Sequence, residues 1–135
     1  MSGLVAIRAA LETALAAMSG NLATAWENVP YAPVPGTPYQ RVHLLPVEPD
    51  NPTIGRFTTE RGVFQVSLYY PLDTGAAAAV TRAELIRDTF YRGASFTADG
   101  LTTIIERTAE IAPALTLDDR FVVPIRVRFY AHREI

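Results

Sequence analysis

The stretch FVVPIRVRFYAH, residues 121–132, alternates between apolar and polar side chains toward its end, and this alternation predicts a strand. Successive side chains of a strand point to opposite faces, so Val127, Phe129 and Ala131 share one face, which is predicted to join the core. The opposite face carries Arg126, Arg128, Tyr130 and His132. Such a row can hold nucleic acid, carry out chemistry or contact another protein.

Two further segments alternate in the same way. GVFQVSLYYP, residues 62–71, predicts a strand whose core face comprises Phe64, Val66, Leu68 and Tyr70. YQRVHLL, residues 39–45, predicts a half-buried strand ended by Pro46. Its core face consists of Val42 and Leu44, and its other face carries Tyr39, Arg41 and His43.

Helical spacing appears twice. Residues 2–19 predict a helix with Ser2 as its cap, Gly20 as its stop and a stripe of Leu4, Ile7, Leu11, Leu15 and Met18. A second helix is predicted from a cap at Asp73 or Thr74 to about Tyr91, ending at Gly93. Its buried stripe is Ala79, Ala83, Ile86 and Phe90, and Leu85 falls on the opposite, charged side.

The order of the predicted elements indicates one α+β domain over residues 1–135. The remaining signals are a short extended piece at 94–97, a turn at Asp99-Gly100, a strand in LTTIIERT and the closing strand. We therefore predict a mainly antiparallel sheet of four or five strands with two helices packed on one face. The predicted core is Leu4, Ile7, Leu11, Leu15, Val42, Leu44, Phe64, Val66, Leu68, Ile86, Phe90, Val123, Ile125, Val127 and Phe129.

The composition of the chain excludes some classes of function. With 49% hydrophobic and 19% charged residues, the chain is typical of folded domains, and no apolar run approaches the length of a membrane span. We expect a soluble protein that does not associate with membranes. Cysteine is absent, which excludes disulfides and thiolate metal sites. All twelve basic residues are arginines, but the net charge of −2 disfavours a protein that depends on binding phosphate.

Residues 46–60, PVEPDNPTIGRFTTE, predict a long polar loop or loose hairpin arm. Its three prolines and one glycine leave few side chains for a core, so we expect the segment to be mobile in a monomer. Ile54 and Phe57 nevertheless lie in it, and they gain burial only against another surface. A proline-rich extended connection is predicted over residues 28–38.

Enzymatic motifs are absent from the sequence, so we expect no catalytic, cofactor-binding or metal site. His43 and His132 fall on the non-core faces of predicted strands, and neighbouring strands would bring the two imidazoles together. A zinc site would need further ligands. Asp118-Asp119 is interpreted as a turn rather than an acid–base pair. The arginine row with Tyr39 and Arg41 leaves nucleic-acid binding open as a minor alternative.

Several quoted segments together resemble one protein family. YQRVHLLPVEPDNPTIG is followed by GVFQVSLYYPLDTG, by an alanine-rich helix that ends near FYRG, and by FVVPIRVRFYAH. This pattern, from Leu4 to His132, resembles the small tail terminator, or tail completion, proteins of long-tailed bacteriophages and prophages.

The resemblance implies an assembly role and no catalytic residue. Such proteins form a ring, typically hexameric, on the head-proximal end of the tail tube, where they stop its polymerisation and present the head-joining surface. The implied partners are other copies of the chain, the tail tube protein and a head-completion or neck protein, with DNA only passing through the lumen. The implied location is the virion, with assembly in the host cytoplasm. Alternatives are a neck or head-closure protein, a nucleic-acid-binding domain and a small enzyme using a histidine.

The subunit interface is predicted from residue chemistry. Apolar groups on the arm and on the second helix provide contact area, and arginines provide partners for carboxylates across the interface. Ring closure requires two different patches of one subunit to meet. The candidate interface residues are Ile54, Arg56, Phe57, Glu60, Leu85, Arg126 and Arg128.

Overall fold

The computed structural model describes residues 3–135, which form two helices and eight strands. The helices are α1 (Gly3–Ala16) and α2 (Ala77–Thr89). The strands are β1 (Ala23–Ala25), β2 (Tyr39–Asp50), β3 (Phe57–Pro71), β4 (Ser95–Ala98), β5 (Leu101–Ile105), β6 (Glu110–Ile111), β7 (Leu115–Leu117) and β8 (Arg120–Glu134). Ser2, the predicted cap of α1, lies outside the described residues. No helix within residues 3–135 is long and apolar enough to cross a membrane.

One mixed sheet contains all the strands, in the order β1-β2-β3-β8-β5-β4, with β6 and β7 also paired to β8. Strand β1 is parallel to β2, and the other pairs are antiparallel. The α+β class is confirmed, but the prediction of four or five antiparallel strands is wrong. The additional strands have two to four residues, and such short pieces carry too little alternation to be recognised in a sequence.

The sheet is centred on the pairing of β3 with β8, which runs without interruption from Phe57–Glu134 to Pro71–Arg120. The predicted core faces meet in this ladder, where Phe64 lies opposite Val127 and Val66 opposite Ile125. Every predicted core residue is buried except Leu4, which is 37% exposed. The buried face of α1 is centred on Ile7 and Leu11, and Leu4 lies beside this face rather than on it.

Both helices contribute to the same hydrophobic cluster on one face of the sheet. The predicted stripe of α2 is buried, and Leu85 lies on the exposed side as expected. The predicted cap of α2 is wrong, because Ala76 occupies the cap position without a side-chain bond. Asp73 and Thr74 belong instead to the preceding turn, where Asp73 has φ 61° and the Thr74 hydroxyl donates to the Pro71 carbonyl at 2.9 Å.

A buried arginine connects the two helices. Arg82 of α2 is 5% exposed, and its guanidinium donates to the carbonyls of Ser19 at 2.9 Å and Gly20 at 3.4 Å and to Asn21 Oδ1 at 3.3 Å. These acceptors follow the C-terminus of α1, where the helix dipole favours a cation. Burial lowers the pKa of Arg82. Arg82 therefore holds α2 against the end of α1 through acceptors that carry no full charge.

Strand β2 continues through Pro46, which was predicted to end it. The backbone N–H of Leu44 donates to Glu27 Oε1 at 3.0 Å, on the side of β2 that faces away from β3. Two residues later, the nitrogen of Pro46 points to the same open side. The ladder to β3 therefore loses no bond at this proline, as expected for proline at a sheet edge.

Candidate functional site

A hairpin arm, residues 45–57, extends from the sheet, and all of its residues are exposed. The pairing of β2 with β3 continues along it through Val47 and Arg61 and, after an irregularity, through Asp50 and Thr59. Of the two predicted forms, the hairpin is the one observed. The predicted boundary at residue 60 is too late, because Thr58 and Thr59 are buried in the sheet.

An ion-pair network anchors the arm. Arg61 of β3 donates from Nε to Asp50 Oδ2 at 2.5 Å and from its other end to the Glu106 carboxylate. The guanidinium also lies 5.7 Å from the centre of the Tyr130 ring. The hydrogen bond to Asp50 and the charge of Glu106 raise the pKa of Arg61. The arm is thereby connected to β8 and to the segment that follows β5.

The last residue of the arm, next to its tip, is packed on an aromatic cluster. Phe57 is 37% exposed, and its ring stacks on His132 at 5.5 Å between ring centres. The Nδ1 of His132 lies 2.9 Å from the Thr59 hydroxyl, and its ring is 5.3 Å from Tyr130. Phe57 therefore already has a partner within its own subunit.

The tip of the arm, residues 51–56, contains the most exposed large apolar side chain among residues 3–135. Ile54 has a relative exposure of 105%, which is that of a free side chain. Next to Gly55, Arg56 is exposed, and its carbonyl accepts the N–H of Ile135 at 2.9 Å. Within residues 3–135 the Arg56 guanidinium has no ion-pair partner. The fourth arm candidate, Glu60, lies opposite buried Ala131 and faces the helix-bearing side of the sheet.

An arginine face, consisting of Arg107, Arg126 and Arg128, lies on the opposite side of the sheet from the helices. These residues line a depression of about 280 Å³ together with Thr108 and Glu110. Arg126 donates to Gln65 at 3.3 Å and to Glu110 at 3.4 Å. Among the described residues, neither Arg107 nor Arg128 has an ion-pair partner. Two guanidiniums are therefore available to external carboxylates or phosphates.

Tyr39, Arg41 and His43 of β2 form a second polar row on the same side of the sheet as the arginine face, toward its other end. Tyr39 and Tyr69 stack at 4.7 Å between ring centres, and Arg41 lies 5.7 Å and 5.9 Å from their centres. Arg120 lies 5.0 Å from the Tyr39 ring and donates to two carbonyls of the proline-rich connection, Val34 at 2.8 Å and Thr37 at 2.6 Å. Desolvation and Tyr39 raise the pKa of Tyr69. These rings stack on each other and on arginines, which leaves less ring surface for stacking a base.

His43 and His132 do not lie together, because their strands are not neighbours in the sheet. β3 separates β2 from β8, and His43 lies in the cross-strand row of Arg126, six residues along β8 from His132. No group of three or more potential ligands that could hold a metal occurs within residues 3–135. Asp118 and Asp119 form the turn between β7 and β8, as interpreted from the sequence, and Asp118 has φ 55°.

An apolar patch lies between the end of α1 and the exposed side of α2. Leu85 is 47% exposed and forms one wall of an open depression of about 480 Å³. Its other walls are Ser19, Gly20, Ala77, Ala78, Thr81 and Arg82. The first turns of α2 thus combine with Leu85 in this patch.

The sequence matches the family model described as phage tail terminator protein over residues 6–129. The chain belongs to this family. Its members are structural proteins of phage tails, and such proteins associate with other components of the virion. The resemblance drawn from YQRVHLLP and GVFQVSLYYP is confirmed.

Solved structures share the fold. One of them has a TM-score of 0.77 and 26% sequence identity, covering 100% of this chain and 98% of that one. Another is a chain in the virion of a native gene transfer agent (GTA) particle, with a TM-score of 0.66 and 19% identity over 98% of this chain and 97% of that one. No curated protein matches the sequence.

Sequence reasoning did not find Arg61, Arg82, Arg107 and Arg120. Arg82 and Arg120 bind backbone carbonyls 62 or more residues away, and no local sequence pattern predicts such partners. The sequence did contain a signal for the position of Arg61. Together with Thr59 and Val63, it occupies alternate positions that fall on the polar face of the strand predicted to begin at Gly62. Extending that strand toward its N-terminus would have placed Arg61 beside the arm.

Proposed function

We propose that this protein forms a ring, with six subunits as the expected number, that caps the head-proximal end of a phage tail tube. The ring stops polymerisation of the tube and presents the surface that joins the head, and DNA only passes through its lumen. The observation that carries this proposal is the match to the tail terminator family over residues 6–129. The same match favours a terminator over a neck or head-closure protein.

The arm supports self-association. A fully exposed isoleucine at the end of a paired and anchored hairpin gains nothing within the monomer, and contact with a second surface would remove it from water. Phe57, next to the tip, extends this surface, with about a third of its area still exposed. Arg56 lies between the two apolar groups and supplies a polar contact at the rim, whereas Glu60 faces the other side of β3.

The arginine face supports a second contact. Arg128 and Arg107 are exposed and unpaired among residues 3–135, whereas Arg126 is already held by Gln65 and Glu110. Guanidiniums bind carboxylates in a bidentate manner and are common in interfaces. We assign this face to carboxylates of a neighbouring subunit, the tube protein or the head-joining protein. The net charge of −2 is compatible with DNA that passes through the ring without being held.

The test combines assembly with function. Purified protein is followed by light scattering and negative-stain imaging as its concentration rises, with rings as the expected product. Ile54→Asp is expected to abolish rings and to leave the unfolding midpoint within about a degree or two, because its side chain has no partner to lose. In a phage that lacks its own terminator, the variant should yield tails of unregulated length or tails that fail to join heads.

The matched control is Val29→Asp, which places the same charge on an exposed aliphatic residue outside the arm. It should form rings and complement the phage. Phe57→Asp is expected to abolish rings as well, but it also removes the stack on His132, so its effect on monomer stability should be larger than that of Ile54→Asp. A variant Ile54→Asp that forms rings and restores tails of normal length would exclude the arm from the interface.

A further inference from the structure

We propose that the tip of the arm of one subunit docks into the apolar patch beside Leu85 on the next copy of this chain. The inference rests on the proposed ring and names the two surfaces that meet in it. Ile54 is the knob, and the depression between the end of α1 and the first turns of α2 is its receptor.

The chemistry of the two surfaces matches. Ala77, Ala78 and Gly20 leave the floor of the patch without bulky side chains, and Leu85 provides an exposed apolar wall. A depression of about 480 Å³ is wide enough to accept an isoleucine with part of the backbone that carries it. Ile54, in turn, has no side-chain contact that must be broken before it can dock.

Charges beside the two surfaces are complementary. Arg56 lies two residues from Ile54, whereas Glu84 and Asp88 lie on α2 at one and three positions from Leu85. All three side chains are exposed, and within residues 3–135 none of them has an ion-pair partner. Opposite charges that stay unpaired in one subunit and flank matching apolar surfaces favour one docking partner over others.

The positions of tip and patch require a second copy. The tip precedes β3, and the patch lies on α2, which follows the other end of that strand. Fifteen residues of strand at about 3.3 Å each separate the two ends by roughly 45 Å. Arg61 and Asp50 hold the arm to the sheet, so the tip cannot fold back onto its own α2. The contact is therefore head-to-tail, the kind that closes rings.

Cysteine cross-linking tests this contact directly, because the chain has no cysteine of its own. Ile54→Cys and Leu85→Cys are made as separate full-length proteins, mixed in equal amounts and oxidised. We expect a disulfide-linked dimer between the two variants as the main product. A chain carrying both substitutions should give a ladder that ends at the number of subunits in the ring.

The matched control replaces Leu85→Cys by Leu115→Cys, since Leu115 is exposed to the same degree, 45% against 47%, but lies on β7. It should give little product with Ile54→Cys. Rings that form without the Ile54–Leu85 link, or with links only between two copies of Ile54→Cys, would overturn the docking and leave the proposed ring intact. Absence of both links and rings would reject both. An Ile54–Leu85 ladder in open chains would support the docking and reject ring closure.

Discussion

Gly62 lies in β3 beside the point where the arm leaves the core, and it has no space for a side chain. A Cβ on this residue would lie 2.5 Å from Phe129 Cζ, 2.9 Å from Phe129 Cε2 and 2.8 Å from the Leu45 carbonyl oxygen. Phe129 is Gly62's cross-strand neighbour in the β3–β8 ladder, and its ring covers the glycine. Gly62→Ala should therefore force the ring and the β2 backbone apart.

The expected magnitude follows from these three contacts. Overpacking a filled core costs about 1 to 3 kcal/mol, and the loss of glycine's freedom in the unfolded chain offsets about 0.4 to 1 kcal/mol. We expect Gly62→Ala alone to lower the free energy of unfolding by about 1 to 2 kcal/mol. Phe129→Leu removes both ring atoms that clash, so in that background Gly62→Ala should cost about 1 kcal/mol less. The contact with Leu45 remains, and some cost should persist.

A double-mutant cycle by urea denaturation measures this coupling. The four proteins are wild type, Gly62→Ala, Phe129→Leu and the double variant, each followed by circular dichroism and fluorescence. Free energies that add to within about 0.3 kcal/mol would mean that Phe129 does not cover Gly62, and the register of β3 with β8 would then be wrong. Ring formation by Gly62→Ala gives a second readout, because the displaced carbonyl belongs to the arm.

Three other substitutions test the features that hold the fold and the site. Arg82→Ala should lower the free energy of unfolding by about 1 to 3 kcal/mol, because three acceptors near the end of α1 lose a charged donor; an unchanged urea midpoint would reject that role. The N–H of Leu44 lowers the pKa of Glu27 from its ordinary 4.5, so this group adds stability above its unfolded pKa, which is lost as the pH falls through the folded value. Glu27→Gln should therefore lower the urea midpoint of unfolding at pH 7, and the midpoint of this variant should decrease less than that of wild type as the pH falls below about 4.5. The same pH profile in both proteins would contradict this. Replacing His43 and His132 together by Ala should leave ring assembly intact, and stoichiometric zinc in wild-type protein that disappears in the double variant would oppose the structural role.

Long alternating segments made most of the fold predictable. The core faces of β2, β3 and β8 follow from side chains that repeat every second residue, and the stripe of α2 follows from steps of three and four. The short strands could not be foreseen, because β6 and β7 exist as strands only through their pairing with β8. Likewise, Pro46 suggests a strand end in the sequence. Only the strand order shows that β2 has an open side at this residue, beyond its short pairing with β1, so that the strand can continue.

The candidate site was predictable in its chemistry and less so in its geometry. Ile54 and Leu85 stood out as apolar residues in polar surroundings, and both are exposed. The separation of Arg41 from Arg126 depends on β3 lying between their strands, which is information about strand order. The contacts of Arg61 with Asp50 and Glu106 likewise arise only when distant segments are brought together.

The arm changes how association should proceed. The composition of residues 46–60 predicted a mobile segment, but both of its strands continue directly from the central sheet, and the ion pair between Asp50 and Arg61 holds it there. A segment already held in one direction loses less conformational entropy on docking than a flexible loop does. Only residues 51–56 lie outside the paired strands. In the ring proposed above, the direction of the arm would set the angle between neighbouring subunits, and that angle decides how many subunits close it.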